Sequence, residues 1–143
     1  MVKDSKGQVS LEYLLILVVS LMILIVFTLP LMEDSIKMTL DVSDSLKVKS
    51  DLSDIVSAIT TVYNEGQGSK QTVHIQSKEP IKVNVGSDYV SANVGLHDHK
   101  YKAIGLACKS NLKSSSINLK KGNNIIVVEW PVNDENMSIF TSF

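Results

Sequence analysis

An uninterrupted apolar segment near the amino terminus constrains this chain more than any other feature. Tyr13 to Met32 are twenty residues without a charged side chain, and a single carboxylate, Glu12, stands at the amino-terminal edge of the segment. A bilayer core about 30 Å thick needs about 20 apolar helical residues, each of which rises about 1.5 Å. The segment therefore predicts a helix that is long enough to span a membrane.

The rest of the chain limits the classes of function that remain. A total length of 143 residues leaves room for one span and one small domain. All fourteen basic residues are lysines, and the absence of arginine argues against a protein that reads nucleic-acid bases. Cys108 is the only cysteine, which excludes an intrachain disulfide and a structural cysteine-zinc site. Its alternation with Ile104 and Leu106 predicts a buried, small apolar side chain.

Charges on either side of the apolar segment predict its orientation. Lys3 and Lys6 precede it and Glu33 and Asp34 follow it, so the positive-inside rule places the amino terminus in the cytoplasm and the head outside the cell. A cleaved secretory signal would have a shorter apolar region and a small-residue cleavage site after it. Neither is present, so we expect the apolar helix to be retained.

A short motif precedes the apolar segment and resembles the class III signal peptide of archaeal type IV pilin-like proteins. The motif is Gly7-Gln8-Val9-Ser10-Leu11-Glu12-Tyr13. The resemblance implies that a prepilin peptidase cuts between Gly7 and Gln8 and removes a leader of residues 1–7. Residues 8–32 would remain as a transmembrane and assembly helix. The implied partners are copies of the same chain, the peptidase, the membrane before assembly, and a pilus assembly platform with its ATPase.

Glu12 is the residue to which this resemblance gives a specific assembly role, together with Ser10 and Tyr13. It lies four residues after Gln8 and therefore on the same face of a helix. A charged carboxylate at the bilayer centre costs on the order of 2.5–3.5 kcal/mol, and less near the edge. In type IV pilins the implied partner is the free amino group of a neighbouring subunit. The alternative is a glutamate that reaches the membrane interface by itself.

A stalk helix is expected to follow the span over residues 33–65. Pro30 predicts either a kink or a helix end near the outer membrane face. Beyond it, an apolar stripe recurs at helical spacing and suits packing against a head domain: Val48, Leu52, Ile55, Val56, Ile59, Val62 and Tyr63. The alternating residues Ile36, Met38, Leu40 and Val42 predict a helix surrounded by neighbours. The glycines in Asn64–Ser69 predict the end of the helix.

Residues 66–143 are expected to form an antiparallel β-sandwich-like head, because their apolar residues recur with a period of two. Gly86-Ser87 predicts a hairpin turn and 121–124 a second turn. The run 125–128 predicts a strand buried on both faces. Six or seven strands are expected, and the fold class is α+β, with the long helix packed on the head.

No residue pattern in the chain indicates an enzyme, a cofactor site or a metal site. There is no nucleophile elbow, phosphate loop or recognisable carboxylate pair. His97-Asp98-His99 fits a solvated turn better than a metal site, and His74 is expected at the surface. Asn136-Met137-Ser138 is a sequon for N-glycosylation.

These features together predict a structural subunit of an archaeal type IV pilus-like filament, membrane-anchored as a precursor and displayed at the cell surface after assembly. Two alternatives stay open. One is a single-span, membrane-anchored extracellular binding protein that is never cleaved. The other is a minor or adhesive tip pilin, which would be processed in the same way.

Overall fold

A single long helix precedes all of the β-structure. The computed structural model describes residues 5–142, and of residues 5–9 only the backbone. Helix α1 spans Ser5–Glu65. The chain divides into two compact units, Met1–Leu40 and Asp41–Phe143. The second unit contains the carboxyl-terminal part of α1 and the head.

Pro30 lies inside α1 rather than at its end. A proline has no backbone N–H, so the carbonyl of Val26 lacks the donor that the helical pattern would supply. The helix nevertheless continues past this point to Glu65. A bend at Pro30 stays a prediction.

The helix ends where the glycine-containing segment was expected to end it. Gly66 adopts a φ of 86°, which is the left-handed conformation that glycine accepts without steric cost. Its N–H donates to the carbonyl of Val62 at 3.0 Å. The Ser69 hydroxyl also donates to the Val62 carbonyl, at 3.0 Å. The Gly66 bond closes the last i→i−4 turn of the helix, and the Ser69 hydroxyl also lies 2.6 Å from the Gly66 carbonyl oxygen, a carbonyl that the ended helix leaves open.

Within residues 66–142, seven antiparallel strands form two sheets in the head. Their bounds are β1 Lys70–Ser77, β2 Ile81–Val85, β3 Tyr89–Gly95, β4 Tyr101–Ala107, β5 Ser115–Leu119, β6 Gly122–Glu129 and β7 Ser138–Ser142. One sheet has the strand order β1-β6-β7 and the other β4-β3-β2-β5. The predicted α+β fold, with a long helix on an antiparallel sheet head, is confirmed.

The predicted turns have different outcomes. The hairpin between β2 and β3 is confirmed, and the Gly86 N–H donates to the Tyr89 carbonyl at 2.8 Å. The turn expected over 121–124 is wrong in its extent, because β6 already begins at Gly122. The reason is Asn124, a 3% exposed residue that accepts from the Lys120 N–H at 2.8 Å and donates to the Lys120 carbonyl at 2.7 Å. Its amide holds the chain where it crosses between the sheets.

The core of the second unit is one cluster, to which α1 and both sheets contribute. The predicted stripe of the helix lies in it in large part, since Val48, Leu52, Ile55, Ile59 and Val62 are each at most 7% exposed. Val56 is half-buried against the cluster, and Tyr63 is 36% exposed. The run 125–128 also matches its prediction in large part, since Ile126, Val127 and Val128 are buried. Ile125 is half-buried. Cys108 is only partly buried and lies just beyond β4, so the expectation of full burial was wrong.

Truncation of the buried stripe tests whether α1 holds the head together. Ile55 is fully buried, so we expect Ile55→Ala to lower the free energy of unfolding by about 2–5 kcal/mol. Trp130 is the only tryptophan, and its fluorescence during denaturant unfolding of the full chain in micelles measures the change. Leu46→Ala is the matched control, because Leu46 is 60% exposed and should cost less than about 0.5 kcal/mol. Equal losses in both variants would contradict this packing.

Candidate assembly site

The proposed cleavage site falls at the edge of the described residues. Residues 1–4 of the predicted leader lie outside them, and the side chain of Gln8 is likewise not described. The backbone of both residues is helical, because α1 begins at Ser5. A protease that reads extended backbone would have to open this turn, and a glycine in a helix lowers its stability by about 1 kcal/mol relative to alanine.

The apolar segment has no buried side chains in the single chain. Every residue from Ser10 to Leu40 is exposed, including Leu11 at 68% and Phe27 at 70%. An exposed apolar surface of this size marks a membrane or protein contact. By length and composition, α1 contains a window that could cross a membrane. The segment therefore needs lipid or other helices around it.

Glu12 is the only side chain charged at neutral pH between Ser10 and Met32, and it is exposed in the single chain. With about 100° between successive helical residues, Gln8 and Glu12 share a face one turn apart, about 6 Å along the axis. Ser10 points to the opposite face, and Tyr13, 70% exposed, lies beside Glu12. The helix therefore offers one carboxylate on an otherwise apolar surface. No described contact tests its assembly role.

The second compact unit begins with an interaction that the sequence did not predict. Asp41 accepts two hydrogen bonds from His97, from the backbone N–H at 3.0 Å and from Nδ1 at 2.7 Å. The His97 side-chain bond, followed by the backbone bond, lowers the pKa of Asp41 below its ordinary value. These bonds join α1 to the loop between β3 and β4.

An ion pair also joins α1 to the turn between β1 and β2. Lys78 Nζ lies 2.6 Å from an oxygen of Asp44. Both pairs combine an acid of the helix with a basic group of the head. The sequence did contain a signal for them, because Glu33–Glu65 holds seven acids against three lysines, whereas the remainder of the chain to Phe143 holds nine lysines against six acids.

Two further contacts involve the helix in the second unit, one within α1 and one with the head. Lys47 and Asp51 form an i,i+4 ion pair at 2.6 Å, in which the Asp51 side chain is only 10% exposed. Near the end of α1, the rings of Tyr63 and Trp130 stack with centroids 6.0 Å apart and planes at 8°. Trp130 Nε1 donates to the Asp134 carbonyl at 2.8 Å. The indole is therefore fixed by both stacking and a hydrogen bond.

The remaining candidate residues lie apart from one another. The predicted turn at His97-Asp98-His99 is confirmed, and the Leu96 N–H donates to the Lys100 carbonyl at 2.8 Å across it. His74 is exposed, as expected. Among the described residues, no group of three or more histidine, cysteine or acidic side chains is arranged to hold a metal ion. Desolvation, followed by the charge of Asp88, raises the pKa of the Cys108 thiol.

The sequon residue Asn136 lies in the loop before β7. It is half-exposed, and its backbone N–H donates to an Asp134 carboxylate oxygen at 3.1 Å. The middle residue, Met137, is 3% exposed and anchors this loop in the core. Glycosylation of Asn136 stays a prediction.

Comparison with known families identifies one segment of the chain. Residues 5–31 match the family model for the class III signal peptide. No curated protein and no solved structure matches the chain. The match confirms the predicted signal peptide and is consistent with an archaeal type IV pilin-like protein. Together with the apolar helix, it supports a pilin-like, membrane-anchored precursor of a surface protein, and it points to a structural protein rather than an enzyme.

The Asp41–His97 contact predicts a pH dependence at the start of the second unit. Because the folded pKa of Asp41 is lowered, the folded state binds fewer protons there than the unfolded state, whose aspartates titrate near about 3.9. This contribution to stability is present at neutral pH and is lost as the pH falls below about 4. A carboxyl-carbon NMR titration of the full chain measures the pKa.

The matched variants separate the two charged pairs. His97→Ala should return the pKa of Asp41 toward about 3.9, whereas Lys78→Ala, which removes the partner of Asp44, should leave it unchanged. An Asp41 pKa that stays lowered in His97→Ala would show that this contact is not its cause.

Proposed function

From the class III signal peptide at residues 5–31, we propose that this chain is the precursor of a structural subunit of an archaeal type IV pilus-like filament. The observation that carries the proposal is the position of the signal peptide, which overlaps an exposed apolar helix with one carboxylate. In this proposal the helix is stored in the membrane with the amino terminus in the cytoplasm. After processing, it joins the helices of other subunits.

Processing would occur between Gly7 and Gln8, on the cytoplasmic side of the membrane. The product would keep residues 8–32 as the assembly helix, 33–65 as the stalk and 66–143 as the head. Lys3 and Lys6 before the span and Glu33 and Asp34 after it favour this topology. A prepilin peptidase, an assembly platform and its ATPase are the proposed partners.

Assembly would exchange lipid for other copies of the helix. Both environments are apolar, so this exchange yields little hydrophobic free energy and needs an external motor. The carboxylate of Glu12 differs, because it gains a partner only when the amino group of a neighbouring Gln8 comes within reach. That pairing would set the register of an incoming subunit, with Ser10 and Tyr13 in the surrounding helix contacts. A bend at Pro30 would adjust the path of the helix at the outer membrane face.

A second candidate, a single-span anchored binding protein, shares the exposed apolar segment but gives no role to the signal peptide. It requires an uncleaved amino terminus. A minor or adhesive tip subunit is processed identically, so abundance in isolated filaments distinguishes it from a major subunit. In all three cases the head faces the exterior, where Asn136 would be accessible for glycosylation.

Intact-mass analysis of the native protein tests processing directly. The mature chain should lack residues 1–7 and begin at Gln8. Gly7→Leu should keep the leader and form no filaments, because a bulky side chain at this point obstructs a narrow protease cleft. Ser5→Ala serves as the control and should be processed normally. Filaments built from chains that still carry Met1 would overturn the proposal.

Removal of the Glu12 carboxylate tests the assembly step separately. Glu12→Ala should be cleaved normally but give at least tenfold fewer filaments, as quantified by shearing and electron microscopy. Glu12→Gln keeps the size without the charge and should show the same defect, since charge pairing is the proposed cause. Glu33→Ala, which removes a carboxylate beyond the other end of the span, should assemble normally. Wild-type filament yield from Glu12→Ala would rule out the docking role.

A further inference from the structure

The four-stranded sheet has an outward face that is unusual in composition. Alternation along its strands directs Val83, Val90 and Ile117 into the core and the intervening residues outward. We define the outer face as these outward residues of β2, β3, β4 and β5. Each of them is exposed or half-exposed.

Amides and hydroxyls occupy the middle of the outer face in register. Asn84 of β2 pairs with Ser91 of β3 on one side and with Ser116 of β5 on the other. These three side chains therefore form a row across neighbouring strands, which lie about 4.8 Å apart. Asn93 and Asn118 add two further exposed amides. Each amide supplies both hydrogen-bond donors and an acceptor.

The outer face carries almost no charge. Lys82 is its only charged residue, although lysine and acidic residues make up 20% of the chain. The edge strand β4 contributes Tyr101 and otherwise only small residues to this face, namely Ala103, Gly105 and Ala107. Strand propensity disfavours asparagine, glycine and alanine, so strand stability does not account for this choice.

Two tyrosines mark opposite ends of the outer face, and each ring lies beside a glycine. A side-chain carbon added at Gly95 would lie 3.8 Å from the Tyr101 ring, and one at Gly86 only 2.9 Å from the Tyr89 ring. The glycines thus let the rings lie close to the backbone. Both rings keep a solvent-facing surface, since Tyr101 is 79% and Tyr89 51% exposed.

The spacing of the two rings follows from the strand register. Tyr89 pairs with Ala107, and Gly95 pairs with Tyr101. The six residue steps from Tyr89 to Gly95 therefore separate the backbone positions of the two tyrosines by about 20 Å at about 3.4 Å per residue. Ser91 of the amide and hydroxyl row and Asn93 lie between them along β3, and Asn84 and Ser116 lie to one side on β2 and β5. This layout suits an extended ligand with repeating polar groups.

The outer face continues into a concave site at its Tyr101 end. Asn93, Gly95 and Tyr101 also line a cavity of about 440 Å³, which is within the usual size of small-ligand sites of about 300–1,000 Å³. The two lysines that line the cavity are already paired, Lys47 with Asp51 and Lys78 with Asp44. The lysines of the cavity are therefore already engaged and do not favour an anionic ligand.

We infer that the outer face binds a neutral polysaccharide. Tyr89 and Tyr101 stack on sugar rings, and the amides and hydroxyls between them bond sugar hydroxyls. A protein partner would be expected to meet a more apolar centre with aromatic or arginine anchors. An anionic glycan or membrane would require more basic residues.

This inference goes beyond the proposed filament role and does not require polymerisation. The test therefore uses the uncut, full-length chain in micelles of an amine-oxide detergent, which has no sugar headgroup to compete. Cellulose and amylose are the neutral probes, alginate is the acidic one, and depletion of the protein from solution measures binding at low and high salt. The chain should bind at least one neutral probe with an affinity that salt leaves within twofold.

The variants assign that binding to the outer face. Tyr89→Ala and Tyr101→Ala should each weaken it at least fivefold, Asn93→Ala about threefold, and Tyr101→Phe less than twofold, since it keeps the ring. Phe140→Ala is the matched control, because Phe140 is an aromatic on the other sheet, 41% exposed, and should have no effect. Trp130 fluorescence verifies that each variant is folded. Tyr101 is so exposed that Tyr101→Ala alone decides the test if another variant does not fold.

Several outcomes would overturn the inference. They are the absence of binding to both neutral probes, unchanged binding in Tyr101→Ala, an equal loss in Phe140→Ala, or binding to alginate alone that disappears at high salt. Light scattering can reveal one further outcome that would overturn the inference. If the tyrosine variants dissociate an oligomer of the precursor instead of weakening polysaccharide binding, the face is a contact between copies of this chain. None of these results depends on cleavage at Gly7, so they test the polysaccharide inference independently of the filament proposal.

Discussion

One helix has to satisfy two different apolar environments, and the rest of the structure depends on this constraint. Between Val48 and Val62 its apolar stripe is buried in the core of the second unit, where packing within the chain satisfies it. Between Leu11 and Met32 its apolar side chains are exposed, and each of residues 10–40 is exposed in the described part of the chain. The helix therefore buries its apolar side chains within the chain at its carboxyl-terminal end, but not at its amino-terminal end. Lipid around a precursor, or other helices around a subunit, would cover the exposed apolar side chains.

The two ends also differ in their electrostatics. In the second unit, acids of the helix meet basic groups of the head directly, as in the pairs Asp41 with His97 and Asp44 with Lys78. These pairs are partly exposed, so each contributes little to stability, but together they specify where the helix contacts the loops. Glu12 has no comparable partner among the described residues of its own chain. In the proposed filament, its charge would specify contacts between chains.

Local sequence patterns predicted the helix and strands of this fold, but they did not predict its long-range contacts. The span, the buried stripe and the strands follow from periods that a few neighbouring residues establish. The contact of Asp41 with His97 joins residues 56 positions apart, and no local period encodes it. Asn124 looked like a turn residue because its composition favours turns, yet its buried amide bridges a crossover between sheets. The outer face became visible only once the strand register had fixed which residues point outward. At the amino terminus a contiguous motif was sufficient, because the signal peptide is read as a linear segment.

The position of the Asp41 contact has a mechanical consequence. Tension that travels along α1 from its amino-terminal part would reach the head at Asp41 and Asp44, before it reaches the first buried residue of the stripe, Val48. These two polar contacts lie ahead of the packed core on the same helix, so they would take the load first. They can re-form as soon as the pull relaxes. Under shear these bonds would break before the apolar contacts, so the core of the head would stay packed.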